Sequence, residues 1–368
     1  MSEPLMRLEH VSQTFSTKRG DVPAVDDVSL DLRAGRVTCL VGESGSGKTT
    51  TARIAAGLNV PTSGRVLFEG KDVTSLSRQE RVDHRLAVQY IHQDPYASLN
   101  PTRTLESTLR APLRANRLVR GRAGAGQRCA ELLTEVDLTP PGDYLGKYPH
   151  QLSGGQRQRA AVARALSTGP RLIVADEATS MLDVSIRVSM LTMLGRLRDN
   201  LQVGFLFITH DLALAKFFGW NGDLAIMYLG RIVEQGPTQD VIAHPAHPYT
   251  RALLEAIPEP DPDLTRNKAG AQLREADLPS LLAIPPGCAF HPRCPVYESG
   301  TCDETRPSLI PARTGQGVDH VAACSRLPVV AAQMPLSAQT HVRAAQHSAP
   351  PTATRVVTAA PVVEGGPS

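Results

Sequence analysis

The sequence of 368 residues has few aromatic side chains and no long hydrophobic run. Phe, Trp and Tyr make up only 4% of it, and no segment approaches the ~18 consecutive apolar residues of a membrane-spanning helix. A formal net charge of +3 is too small to indicate nucleic acid as a partner. The N-terminal MSEPLMRLEH lacks the apolar segment of a secretory signal. We therefore expect a cytosolic chain, in which 41% apolar residues support a core and the length favours about two domains.

Cysteine is also scarce, and four of the six cysteines are concentrated near the C-terminus. Cys39 lies in an apolar strand pattern and Cys129 in a helical pattern, so we interpret both as small buried hydrophobes. The other four, with the spacing C-x5-C-x7-C-x21-C, are Cys288, Cys294, Cys302 and Cys324. In a cytosolic chain such a cluster indicates metal binding rather than disulfides. Four thiolates suit an iron–sulfur cluster or zinc. His291 could substitute for one of them, but it lies too close to Cys294 to be preferred.

The N-terminal third predicts a phosphate-binding loop. Alternating apolar and polar residues over 5–15 and 24–32 are typical of half-exposed antiparallel strands. A more continuous apolar run at 36–41 predicts a buried strand, which leads into GESGSGKTT at 42–50. Residues 49–57 then continue as a helix. A strand, a G-x4-G-K-[ST] loop and a helix in this order predict a P loop.

The glycines of such a loop adopt backbone conformations that are closed to other residues. The loop N–H groups can then converge on phosphates beside the positive end of the helix. Lys48 would reach the β- and γ-phosphates of ATP, and Thr49 would bind Mg²⁺. The candidate nucleotide-binding residues of the loop are Gly42, Glu43, Ser44, Gly45, Ser46, Gly47, Lys48, Thr49 and Thr50.

A second stretch, 152–183, carries the remaining chemistry. A short apolar run at 172–175, bounded by turn residues, predicts a buried strand that ends on Asp176 and Glu177. Two carboxylates there are costly unless a cation meets them, and the P loop makes Mg²⁺ the natural candidate. Upstream, LSGGQ opens a helix whose N-terminus is an anion site. A plain N-cap explains Ser153 equally well, but not two glycines that weaken the first turn.

LSGGQ, after a glutamine loop at Gln93 and just before an Asp-Glu strand, resembles the signature of ABC ATPases. The resemblance covers about residues 5–324. QDPYASLNP at 93–101 and HPYTRALLEAIP at 247–258 are similar to the ATP-binding subunits of bacterial oligopeptide and dipeptide importers. Such importers have two paired ATPases. QDPYASLNP resembles the second of these ATPases more than the first.

The resemblance implies a role for each residue near the phosphates. Asp176 would hold Mg²⁺ through water, and Glu177 would be the general base for the attacking water. Gln93 would touch Mg²⁺ and that water, and His210 would contact the γ-phosphate. Phe15 would stack on adenine, with an ordinary core aromatic as the alternative.

The resemblance also implies a site that is shared between two ATPase subunits. The signature of one subunit would face the γ-phosphate bound by the other, through Ser153, Gly154, Gly155 and Gln156. Asp183 ends a loop, 180–183, that would cross the dimer interface. The family more often has an apolar residue at position 92, Pro at 178 and Ala at 181, where this sequence has His92, Ala178 and Met181. None of these departures removes a catalytic oxygen.

We therefore expect an α/β fold with a P-loop NTPase (RecA-like) core, an antiparallel β subdomain and an ABC-specific helical subdomain at about 94–160. These parts form an ATPase domain over 1–258. A Cys-rich metal- or cluster-binding domain is predicted at 259–327, and a disordered tail at 328–368. RGRAGAGQR, residues 120–128, is predicted to be a mobile turn between two helices.

The function implied by the resemblance is ATP hydrolysis that drives import of di- or oligopeptides. The partners would be two integral-membrane permease subunits, an extracytoplasmic peptide-binding protein, and a second ATPase, identical or paralogous. The chain would lie at the cytoplasmic face of a bacterial membrane, and the GCAFHPRCP stretch implies a 4Fe–4S cluster. Nickel or glutathione is an alternative solute. A DNA-repair or ribosome-associated ABC ATPase and a cluster-based sensor are further alternatives, although no heptad stretch or basic patch supports the former.

Overall fold

Two β-sheets organise the chain. The structure, a computed structural model, describes residues 3–18, 20–94, 98–257, 273–277, 279–312 and 319–334. The strands are β1 Met6–Thr17, β2 Gly20–Leu32, β3 Val37–Val41, β4 Ser63–Phe68, β5 Lys71–Asp72, β6 Val88–Ile91, β7 Leu172–Asp176, β8 Gly204–Thr209, β9 Asp223–Tyr228, β10 Arg231–Pro237, β11 Ile310–Pro311 and β12 Val321–Ala322. A four-stranded antiparallel sheet has the order β2-β1-β4-β5, and a mixed sheet has the order β11-β12-β10-β9-β3-β8-β7-β6. The two predicted N-terminal strands and their antiparallel pairing are confirmed.

Helices cover the larger sheet and form a lobe beside it. They are α1 Lys48–Ala55, α2 Arg78–Ala87, α3 Leu105–Ala115, α4 Gly121–Glu135, α5 Gly142–Leu145, α6 Gly154–Leu166, α7 Val184–Leu201, α8 Leu212–Phe218, α9 Thr238–Ala243, α10 Pro248–Glu255 and α11 Leu327–Gln333. A short 3₁₀ helix, Pro149–Gln151, precedes α6. Within the described ranges, no helix is both long and apolar enough to cross a bilayer.

The central strands are apolar on both faces because both faces are covered. β3, β7 and β8 are buried along their whole length, as expected for parallel strands between two layers. Alternate residues of β7 therefore belong to two different cores. Ile173 and Ala175 belong to the core under the helices, whereas Leu172 and Val174 belong to the core under α1 and the antiparallel sheet. Because β7, β8 and β3 are parallel neighbours, their carboxyl ends meet at one edge. This edge is where parallel sheets bind ligands.

The segment 121–128 is helical, so the predicted mobile turn at 120–128 is wrong. It forms the first half of α4, whose residues Ala125, Cys129 and Leu132 are fully buried and lie on one face. That face packs in the core of the helical lobe. Glycine costs roughly 1 kcal/mol per helical position, and the burial of this face offsets the cost.

The cysteine-rich residues do not stand apart as a separate domain in the part of the chain that the structure describes. β12 pairs with β10 and so extends the large sheet. Phe290, Cys294 and Cys324 belong to the same hydrophobic core as the strands of that sheet. The predicted separate domain is therefore not confirmed.

The predicted disordered tail is also wrong at its start. Leu327–Gln333 is the helix α11, in which Val330 is fully buried. One apolar face is enough for a short helix when the core offers it a partner surface. The rest of the predicted tail, 335–368, and the predicted linker at 258–272 lie outside the described residues.

Candidate functional site

The P loop joins β3 to α1 at the edge where the parallel strands end. Gly45 and Gly47 have φ values of 78° and 101°, in the region that favours glycine. Space is equally restrictive: a Cβ on Gly47 would lie 2.1 Å from the Ala24 carbonyl oxygen, and one on Gly42 would lie 2.1 Å from that of Met227. The glycines are therefore required by the loop conformation, which leaves its N–H groups beside the N-terminus of α1.

Lys48 lies within this loop and bonds to it. Its Nζ donates to the carbonyl oxygens of Gly42 and Glu43, each at 2.8 Å. Burial lowers the pKa of Lys48, against the opposing effect of Glu177 and Asp176. Within the described residues the hydrogen bonds of this buried ammonium group all go to carbonyls, so it is well placed to receive an anion.

Asp176 is fixed by two hydroxyl groups. Thr49 Oγ1 donates to Asp176 Oδ1 at 3.2 Å, and Tyr90 Oη donates to Oδ2 at 2.6 Å. Burial raises the pKa of Asp176, whereas the bonds from Tyr90 and Thr49 lower it. The Thr49 hydroxyl and the Asp176 carboxylate are hard oxygen donors side by side, and this donor set fits Mg²⁺.

The carboxylate of Glu177 lies between the ends of two other elements. Gln93 Nε2 donates to Oε2 at 3.2 Å, and His210 Nδ1 lies 3.3 Å from Oε1. The backbone of Glu177 has φ 45°, an uncommon value for a residue with a side chain. Such strain is found at functional sites, where it fixes the direction of a side chain. The structure thus brings together Gln93, Glu177 and His210, to which the resemblance assigned roles near the phosphates.

The signature residues lie at the start of α6 and face outward. Ser153 and Gln156 form a capping box, with Gln156 N–H donating to Ser153 Oγ at 3.3 Å and Ser153 N–H to Gln156 Oε1 at 3.0 Å. Ser153 and Gly154 are exposed, while Gly155 is buried against Ile186. In the described part of the chain, no hydrogen bond joins Ser153 or Gln156 to the P loop. The N-cap reading is therefore correct, and it leaves an exposed helix N-terminus.

Asp183 is the N-cap residue of α7, and its side chain is exposed. The loop before it is held by Arg187, which donates to the Leu182 carbonyl at 2.6 Å and to the Ser180 carbonyl at 3.1 Å. Phe15 lies on β1 opposite Val22 and is 40% exposed, so it is not a core aromatic. Adenine stacking by Phe15 stays a prediction.

The four C-terminal cysteines line one small cavity of about 10 Å³ together with His247 and His291. Burial raises the pKa of Cys288 to about 11 and that of Cys294 to about 12. Among the described residues, no three His, Cys, Asp or Glu side chains are arranged to hold a metal ion. The predicted metal site is therefore not confirmed. Cys39 and Cys129 are fully buried, as predicted.

Comparison with known proteins identifies the family. Residues 25–180 match the family model for the ABC transporter, and residues 233–302 match the one for the oligopeptide/dipeptide transporter, C-terminal region. A probable peptide ABC transporter ATP-binding protein of Sinorhizobium fredii is 41% identical over 346 residues, which cover 92% of this chain and 94% of that protein. The chain belongs to the ABC transporter ATP-binding proteins.

Other relatives and solved structures agree with this assignment. The oligopeptide transport ATP-binding protein AppF of Bacillus subtilis is 40% identical over 319 residues, 85% of this chain and 92% of that one. A dimeric ATP-binding cassette, solved in a post-hydrolysis state with ADP and phosphate, has a TM-score of 0.57 and 27% identity. The matched region covers 63% of this chain and 98% of the chain in that solved structure. The ABC ATPase therefore has the expected cassette fold.

Sequence reasoning missed three residues that touch this site. Tyr90 binds Asp176, Tyr249 Oη accepts the Glu43 N–H at 2.9 Å, and Arg293 binds the Glu43 side chain. A tyrosine in a buried strand requires a hydrogen-bond partner. That requirement could have predicted a hydrogen bond between Tyr90 and an acidic side chain on the neighbouring strand.

We predict that Tyr90→Phe weakens Mg²⁺ binding by about tenfold, within the range for groups that orient a metal ligand. The substitution removes one hydroxyl and leaves Asp176 Oδ2 unbonded, so that the carboxylate can turn away from Thr49. Titration of Mg²⁺ against a fluorescent ATP analogue measures the change. Tyr144→Phe, in the helical lobe, is the matched control. An unchanged Mg²⁺ dependence for Tyr90→Phe would contradict the role of the hydroxyl.

Proposed function

We propose that this ABC ATPase powers the uptake of di- or oligopeptides through separate permease subunits. The observation that carries the hydrolytic part is Glu177, whose carboxylate lies between Gln93 and His210 and beside the Thr49–Asp176 pair. The peptide part rests on the match of residues 233–302 and on the names of the peptide-transport relatives.

Each side chain of the site has a defined role in this proposal. Lys48 and the loop N–H groups bind the β- and γ-phosphates, while Thr49 and Asp176 hold Mg²⁺. When bound, Mg²⁺ neutralises phosphate charge. Glu177 accepts a proton from the attacking water. Gln93 and His210 keep the Glu177 carboxylate directed at that water, and His210 also contacts the γ-phosphate.

The site is completed by a second ATPase subunit. The exposed N-terminus of α6, with Ser153 and Gly154, offers N–H groups to an anion. Among the described residues, no hydrogen bond joins the Ser153–Gln156 capping box to the P loop of its own chain. In a dimer these groups would face the γ-phosphate bound by the partner, and Asp183 would lie at the interface. The partner is a second copy or a paralogue.

The proposal places the chain at the cytoplasmic face of the membrane, against a permease pair that receives peptides from an extracytoplasmic binding protein. The test is to purify the full chain with the permease that accompanies it and to reconstitute the complex in liposomes. ATP-dependent uptake of labelled peptides that is lost with Glu177→Gln is the expected result. Uptake of nickel or glutathione but not of peptides would contradict the substrate class.

We also propose that Cys288, Cys294, Cys302 and Cys324 hold an iron–sulfur cluster, which would tie their loops together. Four soft thiols around one cavity suit iron. Backbone N–H groups are directed at the sulfurs, among them the Arg326 N–H at 3.4 Å from Cys324 Sγ. Because the cavity is small, binding would have to spread the loops.

Protein purified without oxygen should therefore be brown and contain about four irons per chain. Cys294→Ser should abolish the colour and the iron, because it removes one thiolate ligand, whereas the buried Cys129→Ser should keep both. Iron analysis and visible absorption measure the outcome. Colourless protein with one zinc would show that the cysteines bind zinc instead of a cluster. Metal-free protein with a folded C-terminal segment would contradict metal binding altogether.

A further inference from the structure

The cysteine-rich segment makes a direct polar contact with the P loop. Arg293, the residue before Cys294, donates to Glu43 Oε2 at 2.8 Å and to Oε1 at 3.1 Å. Only 8% of the Arg293 side chain is exposed. A bidentate arginine–carboxylate pair is strong and fixes direction, and burial reduces its screening by water. The contact therefore holds the side chain of Glu43 in one place.

The position of Arg293 is set by tight turns in the cysteine-rich segment. Its N–H donates to the Phe290 carbonyl at 3.0 Å, and the Cys294 N–H donates to the His291 carbonyl at 3.2 Å. The Phe290 ring packs on Tyr228 and Tyr249, with centroid distances of 5.3 Å and 5.4 Å. The turns are thus anchored to the same core that lies under the P loop.

The P loop is held from this side at several points. The Glu43 N–H donates to Tyr249 Oη at 2.9 Å, and the Gly230 N–H donates to the Ser46 carbonyl at 2.9 Å. Arg293 adds the only guanidinium group bound to the loop among the described residues. Without it, a partly buried carboxylate would remain unpaired next to the phosphate site, where it would repel ATP.

We propose that Arg293 is a positioning residue for ATP binding, which holds Glu43 and thereby the start of the P loop in the conformation that accepts phosphates. This role rests on the proposed ATPase function. Arg293 does not touch the nucleotide in this proposal: it acts through Glu43, by neutralising the carboxylate and fixing its direction.

The test compares MgATP affinity in variants of the full chain, together with their melting temperatures without nucleotide. Arg293→Ala should weaken MgATP binding by about tenfold, within the usual range for coupling through a second residue. Arg293→Lys keeps the charge without the planar fork and should lie between Arg293→Ala and the parent. Arg306→Ala is the matched control. Arg306 belongs to the same segment and binds Asp26 at 2.8 Å instead of the P loop, so its loss should leave the MgATP affinity unchanged.

The double variant Arg293→Ala with Glu43→Gln separates positioning from a general loss of stability. Because it removes the unpaired carboxylate, it should bind MgATP more tightly than Arg293→Ala alone. Equal affinities for Arg293→Ala and Arg306→Ala, or no relief from Glu43→Gln, would overturn the inference. If Arg293→Ala does not fold, Arg293→Lys decides by the same comparison. A parent chain that binds no MgATP would instead refute the proposed function itself.

Discussion

Replacement of Glu177 by glutamine should leave MgATP bound and slow its hydrolysis by about 10²- to 10⁴-fold, the usual effect of losing a general base. Glutamine keeps the size of the side chain and can still bond to Gln93 and His210, which now flank the carboxylate at 3.2 Å and 3.3 Å. It cannot accept a proton from water. Binding and hydrolysis should therefore separate, and a closed dimer with bound ATP should accumulate.

Single-turnover hydrolysis and gel filtration with ATP measure the two effects. Glu131→Gln, on the exposed face of α4, is a control of the same chemistry and should hydrolyse ATP at the parent rate. Hydrolysis by Glu177→Gln at the parent rate would remove Glu177 from the mechanism. Loss of ATP binding in this variant would show that Glu177 acts on the site's structure instead.

The hydrolytic site could be predicted from the sequence because its parts are local. A P loop requires glycines at fixed offsets after a buried strand, and Gly42 to Thr49 meet that requirement in one short stretch. Asp176 and Glu177 end another buried strand, and His210 ends a third. Parallel packing places such ends together, and the resemblance to ABC ATPases implied the role of each residue.

The contacts that sequence reasoning missed are all distant along the chain. Tyr90 and Asp176 are 86 residues apart, and Arg293 and Glu43 are 250 apart. Neither pair follows from a pattern within one element. The separate cysteine-rich domain was predicted for a similar reason. Its composition shows few apolar residues, but composition does not reveal that β12 joins β10 of the ATPase sheet.

The second large effect should come from mixing two inactive variants. Lys48→Ala removes the buried ammonium group from the P loop, and Ser153→Arg places a bulky cation at the exposed start of α6. Each site of the dimer is formed by the P loop of one subunit and the signature of the other. A homodimer of either variant carries a lesion at both of its sites, so both homodimers should be inactive. With two affinity tags, purified mixed dimers have one site with both lesions and one with neither. They should recover about half of the parent rate, because the two sites are related by a two-fold axis.

Recovery is expected only if Ser153 serves the nucleotide of the neighbouring subunit. If Ser153 served its own P loop, every site of the mixed dimer would contain one lesion, and hydrolysis would stay at background. Ser153 is exposed and bonded to Gln156 in the capping box, which agrees with a contact to the nucleotide of the neighbouring subunit. The control mixes Lys48→Ala with Glu177→Gln, two lesions assigned to the same subunit's site, and it should not recover. If the natural partner is a paralogue, Ser153→Arg should abolish hydrolysis at the paralogue's site and spare the site with Lys48.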